Sequence, residues 1–151
     1  IAPAADRLEM TRLAVAADPR FEACDVELRR GGISYTVDTL RALRQQYPGA
    51  DLHLIVGGDT LRELPSWKSI VEILGLCRIV TVARPGFDRE RMRPGLAGPW
   101  PERLLADVIA GHQVDISSTD LRARIARGRT IRFLVPDAVA GYIAARKLYT
   151  T

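Results

Sequence analysis

Apolar and polar residues alternate along this chain with two different periods, and these periods predict its elements. Recurrence at intervals of three and four residues predicts helices over residues 6–17, 36–46, 66–77, 118–127 and 136–147, with a weaker helix over 102–110. Short apolar runs predict strands over 21–28, 52–56 and 78–83 and a strand end at 114–116. The run at 52–56 is nearly all apolar, which predicts a buried strand. Strands that alternate with helices favour an α/β fold with a mostly parallel sheet.

Short polar loops follow three of the predicted strands. They are Gly-Gly-Asp at 57–59, Arg-Pro-Gly at 84–86 and Ser-Ser-Thr at 117–119. In open α/β sheets, ligands bind beyond the carboxyl ends of the strands. We therefore expect the three loops to contribute to one shared site.

The loop at 117–119 leads into an amphipathic helix, and its hydroxyls are well placed to cap that helix. The first backbone N–H groups of a helix lack intrahelical partners, and together with the helix dipole they attract anions. Arg122 follows Ser118 by four residues, so the two share a helix face. The pattern indicates a phosphate site, and an ordinary capped helix with a solvated basic face is the alternative.

Three further positions are candidates for binding a nucleotide. Asp59 can accept hydrogen bonds from ribose hydroxyls, or it can cap the short helix that follows it. Trp67 can stack on a flat heteroaromatic ring with Lys68 adding positive charge, or it can be an ordinary core tryptophan. The hydroxyls of residues 34–36 (Ser-Tyr-Thr) can receive a carboxylate or phosphate at a helix start, or they can serve as simple caps.

Composition indicates one domain over residues 1–151 with anionic partners. The 151 residues are 47% hydrophobic and 26% charged, with a formal net charge of +4. A modest basic excess suits nucleotides or RNA, although it is also common on solvated surfaces. The arginines from Arg122 to Arg132 have no interleaved aromatic residues, a pattern that suits phosphate better than stacked bases. Nucleic acid is therefore not the expected partner.

The cysteines and histidines predict neither disulfides nor a histidine-rich metal site. Cys24 and Cys77 lack metal-ligand spacing, and we interpret both as reduced core thiols of a cytosolic protein. His53 and His112 are isolated, and His53 reads as a packing residue within a strand. The sequence contains no apolar run of membrane-spanning length.

Several segments, in order and with matching spacing, resemble the signatures of bacterial nicotinate-nucleotide adenylyltransferases. The resemblance covers nearly the whole chain and rests on residues 32–40, 54–59, 65–68, 82–86, 116–119, Arg122, Gly128, 131–136 and 142–143. It implies a Rossmann-like parallel sheet flanked by helices, of nucleotidyltransferase type. It also implies transfer of AMP from ATP to nicotinate mononucleotide in NAD biosynthesis, which gives deamido-NAD and pyrophosphate.

The resemblance further implies roles for individual residues. Thr36, with Tyr35 beside it, would bind the nicotinate carboxylate together with backbone groups near Trp67 and Lys68, and Trp67 would stack on the pyridine ring. Asp59 would hold ribose hydroxyls.

On the ATP side, the resemblance assigns the phosphates to Ser117, Ser118, Thr119 and Arg122. Arg84 would lie near the adenosine end. Mg²⁺ would accompany ATP, bound largely through phosphate oxygens and water.

One departure from the family is clear. Family members begin with a strand and a glycine-rich turn that carries a His-x-Gly-His motif, and nothing in these 151 residues matches it. We therefore assign no catalytic residue in this chain, and we expect the sequence to lack the first strand-helix-strand portion at its N-terminus.

The alternatives are a sibling adenylyltransferase for another substrate and an inactive nucleotide- or RNA-binding remnant of the same fold. The hydroxyls at 34–36 together with Trp67 favour the nicotinate substrate. The oligomeric state, a homo-oligomer included, stays open.

Overall fold

A computed structural model of the chain describes residues 2–83, 93, 101–110, 114 and 116–150. The chain forms two compact units. The helical unit comprises Ile1–Arg30 and Val114–Thr151, and the sheet unit comprises Gly31–Gln113. The single domain expected over residues 1–151 stays a prediction. None of the described helices is long and apolar enough to cross a membrane.

The sheet unit is built on three parallel strands, β1 (His53–Gly57), β2 (Arg78–Ala83) and β3 (Val108–Ala110). Their order is β1-β2-β3, so that β2 lies between the other two. In register, Val56 is opposite Thr81, and Thr81 is opposite Val108. This arrangement, with helices flanking the sheet, confirms the fold class expected from the sequence.

Among the described residues, three helices accompany the sheet: α3 (Thr36–Gln46), α4 (Ile70–Leu76) and α5 (Pro101–Ala106). The bounds of α3 are those predicted, because its apolar residues recur at helical spacing and Pro48-Gly49 follows its end. The helices and one face of the sheet enclose a core whose fully buried hydrophobic members are Val37, Leu61, Leu64, Ile73, Leu104 and Leu105.

The predicted burial of the whole strand over 52–56 is wrong, because the described residues cover only one face of β1. Val56 is 7% exposed, whereas its neighbour Ile55 is 69% exposed. Successive side chains of a strand point to opposite faces, so one-sided packing buries alternate residues. His53, expected to pack within the strand, is exposed at its start, and its Nδ1 lies 3.1 Å from the carbonyl oxygen of Asp51.

The helical unit contains α1 (Ala4–Val15), α2 (Val26–Arg30), α6 (Ser118–Ala126) and α7 (Asp137–Ala145). A second, smaller core lies here and centres on Ile131, Val139 and Ile143. The predicted C-terminal cap of α6 is confirmed. Gly128 has a φ of +66°, which glycine adopts at little steric cost, and its N–H donates to the carbonyl of Ile125 at 2.9 Å.

A buried carboxylate joins the first and last helices of this unit. Asp6 of α1 is 3% exposed, and its Oδ1 accepts hydrogen bonds from the Tyr142 hydroxyl at 2.7 Å and Arg146 Nε at 3.1 Å. The Tyr142 hydrogen bond, followed by the Arg146 interactions, lowers the pKa of Asp6 against the opposing effect of burial. The carboxylate form of Asp6 therefore stabilises the contact between α1 and α7.

The predicted strand over 21–28 is wrong. Residues 26–30 form α2 instead, and Phe21 and Leu28 are 62% and 43% exposed. Asp25 pairs with Arg29 at 3.0 Å, an i,i+4 contact that favours a helical turn. Cys24, expected in the core, is exposed, whereas Cys77 is buried as expected, and both thiols are free.

The predicted helix over 66–77 starts too early. A 3₁₀ turn covers Leu64–Ser66, Trp67 is extended, and Ser69 has a left-handed φ of +56° just before α4. A left-handed residue interrupts a right-handed helix, so α4 begins only at Ile70.

The predictions between 102 and 116 are partly wrong. The helix ends at Ala106, and residues 108–110 pair with β2 as the third strand. Val114 and Ile116, the described parts of the predicted strand end, belong to no strand and are 71% and 41% exposed. Residues 108–110 form a short, largely exposed strand beside β2, which single-sequence periodicity does not distinguish from a helix end.

Candidate functional site

The carboxyl-side surface of the sheet unit has a cavity of about 330 Å³ at the start of α3. Two loops line it, one leading into α3 and the other leading into α4. We call it the α3 cavity, and its lining residues are Ser34, Tyr35, Thr36, Ser66, Trp67, Lys68 and Ile73.

The helix start at this cavity has no side-chain cap. Tyr35 is the N-cap residue, with φ −104° and ψ 140°, and no side-chain hydrogen bond caps the helix there. The Tyr35 carbonyl accepts the Asp38 and Thr39 amides at 3.0 and 3.2 Å. The backbone amides of Thr36 and Val37 are in the first turn, where N–H groups have no intrahelical acceptor. Simple capping, the alternative for residues 34–36, is therefore not what their side chains do.

Trp67 and Lys68 line the cavity because the helix was interrupted before α4. Trp67 is partly buried and packs against the core of the sheet unit. The ammonium of Lys68 lies 3.9 Å from the centroid of the Tyr35 ring and 3.7 Å from Asp38 Oδ2. A cation over an aromatic face and beside a carboxylate is held on two sides, so its charge stays at the cavity rim.

Asp38 extends this contact into a network that links α3 with α4. Arg41 donates to Asp38 Oδ1 at 2.7 Å and to both carboxylate oxygens of Glu72 at 2.6 Å. Its hydrogen bond lowers the pKa of Glu72, and the same pairing raises the pKa of Arg41. The two helices that carry the cavity loops are therefore joined by charge-assisted hydrogen bonds. The role of Asp38 was not predicted from the sequence, although its three-residue spacing from Arg41 was a signal of an intrahelical pair.

Asp59 lies in the same unit, directly after β1, but outside the lining of the α3 cavity. Its side chain makes no capping hydrogen bond to the following 3₁₀ turn, so the capping alternative does not describe it. A Cβ added at Gly57 would lie 2.5 Å from Asp59 Oδ1. Any other residue at position 57 would therefore force the exposed Asp59 carboxylate to move.

The start of α6, in the helical unit, is capped by the side chain of its N-cap residue. Ser117 is the N-cap residue, and its Oγ accepts the Asp120 amide at 3.0 Å. Arg122 Nη2 donates to Thr119 Oγ1 at 3.2 Å, and Ser118 is exposed beside them. Helix capping by Ser117, offered as one interpretation, is present in the structure, and it leaves the other hydroxyls at the surface.

The structure brings four of the five predicted nicotinate-site residues to one cavity: Tyr35, Thr36, Trp67 and Lys68. Asp59 follows a neighbouring strand, and the predicted phosphate residues belong to the other unit. Arg84 and the rest of the Arg-Pro-Gly loop at 84–86 lie outside the described residues. One site shared by all three loops stays a prediction.

The described residues offer no group of three or more His, Cys, Asp and Glu side chains that could hold a metal ion. A magnesium ion that travels with a nucleotide is bound mainly by phosphate oxygens and water.

Comparison with known proteins identifies the relatives of this chain. The cytidylyltransferase-like family model matches residues 1–124. A Roseiflexus protein named "Probable nicotinate-nucleotide adenylyltransferase" is 48% identical over 153 residues, which cover 99% of this chain and 74% of that protein. A protein of the same name from Herpetosiphon aurantiacus is 42% identical over 144 residues, which cover 95% of this chain and 72% of that protein.

Solved structures share the fold at lower sequence identity. The nicotinic acid mononucleotide adenylyltransferase of Plasmodium falciparum, in its complex with APC, superposes with a TM-score of 0.72 at 15% identity. The match covers 99% of this chain and 77% of that one. The same enzyme complexed with NaAD gives a TM-score of 0.70.

Proposed function

The chain belongs to the nicotinate-nucleotide adenylyltransferases of the cytidylyltransferase-like family, and we propose that it transfers AMP from ATP to nicotinate mononucleotide. The products are deamido-NAD and pyrophosphate. Beyond family membership, the observation that carries this proposal is the α3 cavity, where an uncapped helix start, an indole and an ammonium group meet.

The nicotinate carboxylate fits the start of α3. The Thr36 hydroxyl and the first amides of the helix are hydrogen-bond donors, and the positive end of the helix dipole favours an anion there. Lys68 adds positive charge at the rim, where it lies over the Tyr35 ring and is partly offset by the Asp38 carboxylate 3.7 Å away. A nicotinamide group is neutral, so these donors favour the acid over the amide.

The pyridine ring fits beside Trp67. The indole packs against the core on one side, which restricts its motion, while it also lines the cavity. Offset stacking of a flat ring on an immobilised indole is favourable and needs little reorganisation. For the ribose we propose Asp59, whose exposed carboxylate can accept two hydroxyl protons.

We assign the ATP phosphates to the start of α6. Ser117 accepts the Asp120 amide but keeps its own hydroxyl proton for a phosphate oxygen. Thr119 likewise accepts from Arg122 and can still donate, while Ser118 is exposed beside it. The Arg122 guanidinium supplies the positive charge that phosphates require. Arg84, for which we propose the adenosine end, lies outside the described residues.

The reaction is an in-line displacement. A phosphate oxygen of nicotinate mononucleotide bonds to the α-phosphorus of ATP, and the bond from that phosphorus to the bridging β-phosphate oxygen breaks. Pyrophosphate leaves with the electron pair. Such transfers depend mainly on positioning and on neutralising the charge of the leaving group. Mg²⁺ bound to ATP supplies part of that neutralisation, and these residues orient the two substrates.

The proposal also implies a cytoplasmic location, where ATP and mononucleotides are available.

Pyrophosphate release by the complete gene product tests the function. We expect release with ATP plus nicotinate mononucleotide, and a much lower kcat/KM with nicotinamide mononucleotide. Equal or higher kcat/KM with the amide would show that the substrate assignment is wrong. Binding of both substrates without any release would favour a non-catalytic nucleotide-binding protein.

A further inference from the structure

A second polar cavity lies at the opposite end of the sheet unit from Gly57 and Asp59. It has a volume of about 450 Å³ and surrounds the first residues of β1 and β2, His53 and Arg78, which are paired in register. It shares no lining residue with the α3 cavity. Because arginines from three elements reach it, we call it the arginine cavity.

Two of these arginines are held in place by backbone carbonyls. Arg44 of α3 donates to the carbonyls of Ala50 at 2.6 Å and Leu76 at 2.7 Å. Arg103 of α5 donates to the carbonyl of Leu74 at 2.6 Å. Leu74 and Leu76 end α4, so the two guanidinium groups complete the carbonyl end of that helix.

These contacts fix the guanidinium groups, and the carbonyl end of α4, which carries roughly half a negative charge, offsets only part of their charge. Within the described part of the chain, neither Arg44 nor Arg103 forms an ion pair with a carboxylate. Arg44 is moreover half-buried, and a charge removed from water without a counter-ion is unfavourable. Most N–H donors of both side chains stay uncommitted to any described acceptor.

The other charges around the cavity leave it basic. Arg78 is neutralised by Asp107, whose two carboxylate oxygens lie 2.5 and 2.6 Å from its nitrogens. Asp51 is an acidic lining residue and is exposed. Burial raises the pKa of the Cys77 thiol, so this neighbour stays neutral and does not repel an anion.

We propose that the arginine cavity is a binding site for a compact phosphate-type oxyanion, held between Arg44 and Arg103. Planar guanidinium forks match the oxygen spacing of phosphate, and forks already fixed by carbonyls lose little entropy on binding. The inference is independent of the proposed transfer reaction, because it uses neither the α3 cavity nor the start of α6.

Nuclear magnetic resonance of the ¹⁵N-labelled chain tests this site with sodium pyrophosphate at constant ionic strength. We expect saturable shifts of the Leu52, His53, Cys77 and Arg78 amides, with a dissociation constant of about 1 mM or tighter. These shifts should persist when nicotinate mononucleotide is present. Shifts confined to Thr36 or to Ser117–Arg122, or shifts that do not saturate, would overturn the proposal.

The decisive variant is Arg103→Gln, because Arg103 makes one carbonyl contact and Arg44 makes two. We expect it to weaken pyrophosphate binding at least about tenfold, whereas Arg103→Lys should be intermediate. The matched control is Arg7→Gln, which removes the same charge and also one arginine-to-carbonyl hydrogen bond, to Ala2 at 2.7 Å. Equal weakening in both Gln variants would reduce the effect to net charge and contradict a specific site. Circular dichroism confirms that each variant is folded.

Discussion

Hydroxyl-rich segments precede two helices of this chain, α3 and α6, and the N-terminal ends of these helices differ in how they are capped. At α3 the N-cap residue is Tyr35, no side chain caps the helix, and the site is a cavity of about 330 Å³. At α6 Ser117 caps the helix by accepting the Asp120 amide at 3.0 Å, and the neighbouring hydroxyls are exposed. Similar sequence patterns therefore produced one helix start that no side chain caps and one that a serine side chain caps.

The difference bears on specificity. A concave site with an indole wall and a fixed ammonium can distinguish a carboxylate from an amide, because a neutral group leaves the donors poorly matched. An exposed, self-capped helix start attracts phosphates of any nucleotide through its dipole and its arginine. We therefore expect substrate choice to depend on α3, and α6 to contribute charge and helix stability.

The largest expected effect separates binding from stability at α3. Thr36→Val keeps the shape of the side chain but removes the hydroxyl that we assign to the nicotinate carboxylate. A hydrogen bond to a charged group contributes about 1.5–3 kcal/mol, so affinity for nicotinate mononucleotide should fall roughly 10- to 100-fold. Calorimetric titration measures this loss. Unchanged affinity would remove Thr36 from the site, and a lowered melting temperature would mean that its hydroxyl is structural.

The next effect concerns the stability of the helical unit, which we expect to depend on a buried carboxylate more than on the start of α6. The pKa of Asp6 is lowered in the folded state, so its contribution is present above the unfolded pKa of about 3.9. It is lost as the pH falls through the lower folded value. Asp6→Asn should therefore lower the melting temperature near neutral pH, and the difference should shrink in acid. A difference that is constant with pH would contradict this account.

A smaller effect is expected at the start of α6. Ser117→Ala removes the cap, and loss of a serine cap costs about 1 kcal/mol of unfolding free energy. Urea unfolding should show this loss, while affinity for nicotinate mononucleotide stays unchanged. Weaker nicotinate mononucleotide binding with unchanged stability would contradict the assignment of the mononucleotide to α3 and of a stabilising cap to Ser117.

The smallest effect is expected at the cavity rim. Lys68→Gln removes an exposed charge that contacts Tyr35 and Asp38. An exposed ion pair between this ammonium and the nicotinate carboxylate would contribute about 0.2–1 kcal/mol, so acid affinity should fall by up to roughly fivefold. The affinity for the amide should stay the same, and salt should diminish the difference. An equal loss for acid and amide would assign Lys68 a general structural role.

Local sequence signals predicted part of this fold well. The bounds of α3 and β2 agree with those predicted, because helical spacing, a Pro-Gly stop and a β-branched run act within a few residues. The strand at 21–28 failed because its alternating pattern has no neighbouring strand in the described residues to pair with. The helix at 66–77 failed because the left-handed Ser69 leaves no mark in periodicity.

The residues of the candidate site were predictable from the sequence, but the contacts that position them were not. Motif resemblance pointed to Thr36, Trp67 and Lys68, and the structure places them around one cavity. The contact of Lys68 with Asp38 joins residues 30 positions apart and depends on the loop that precedes α4. The arginine cavity likewise depends on contacts between Arg103 and α4 that no local pattern encodes.

The most direct test of the account is the affinity of this chain for nicotinate mononucleotide relative to nicotinamide mononucleotide, measured by calorimetry under identical conditions. The two ligands differ only in the group that we assign to the start of α3. We predict at least about tenfold tighter binding of the acid, as one charge-assisted hydrogen bond requires. Equal affinities, or tighter binding of the amide, would contradict the assignment of the α3 cavity to the nicotinate carboxylate.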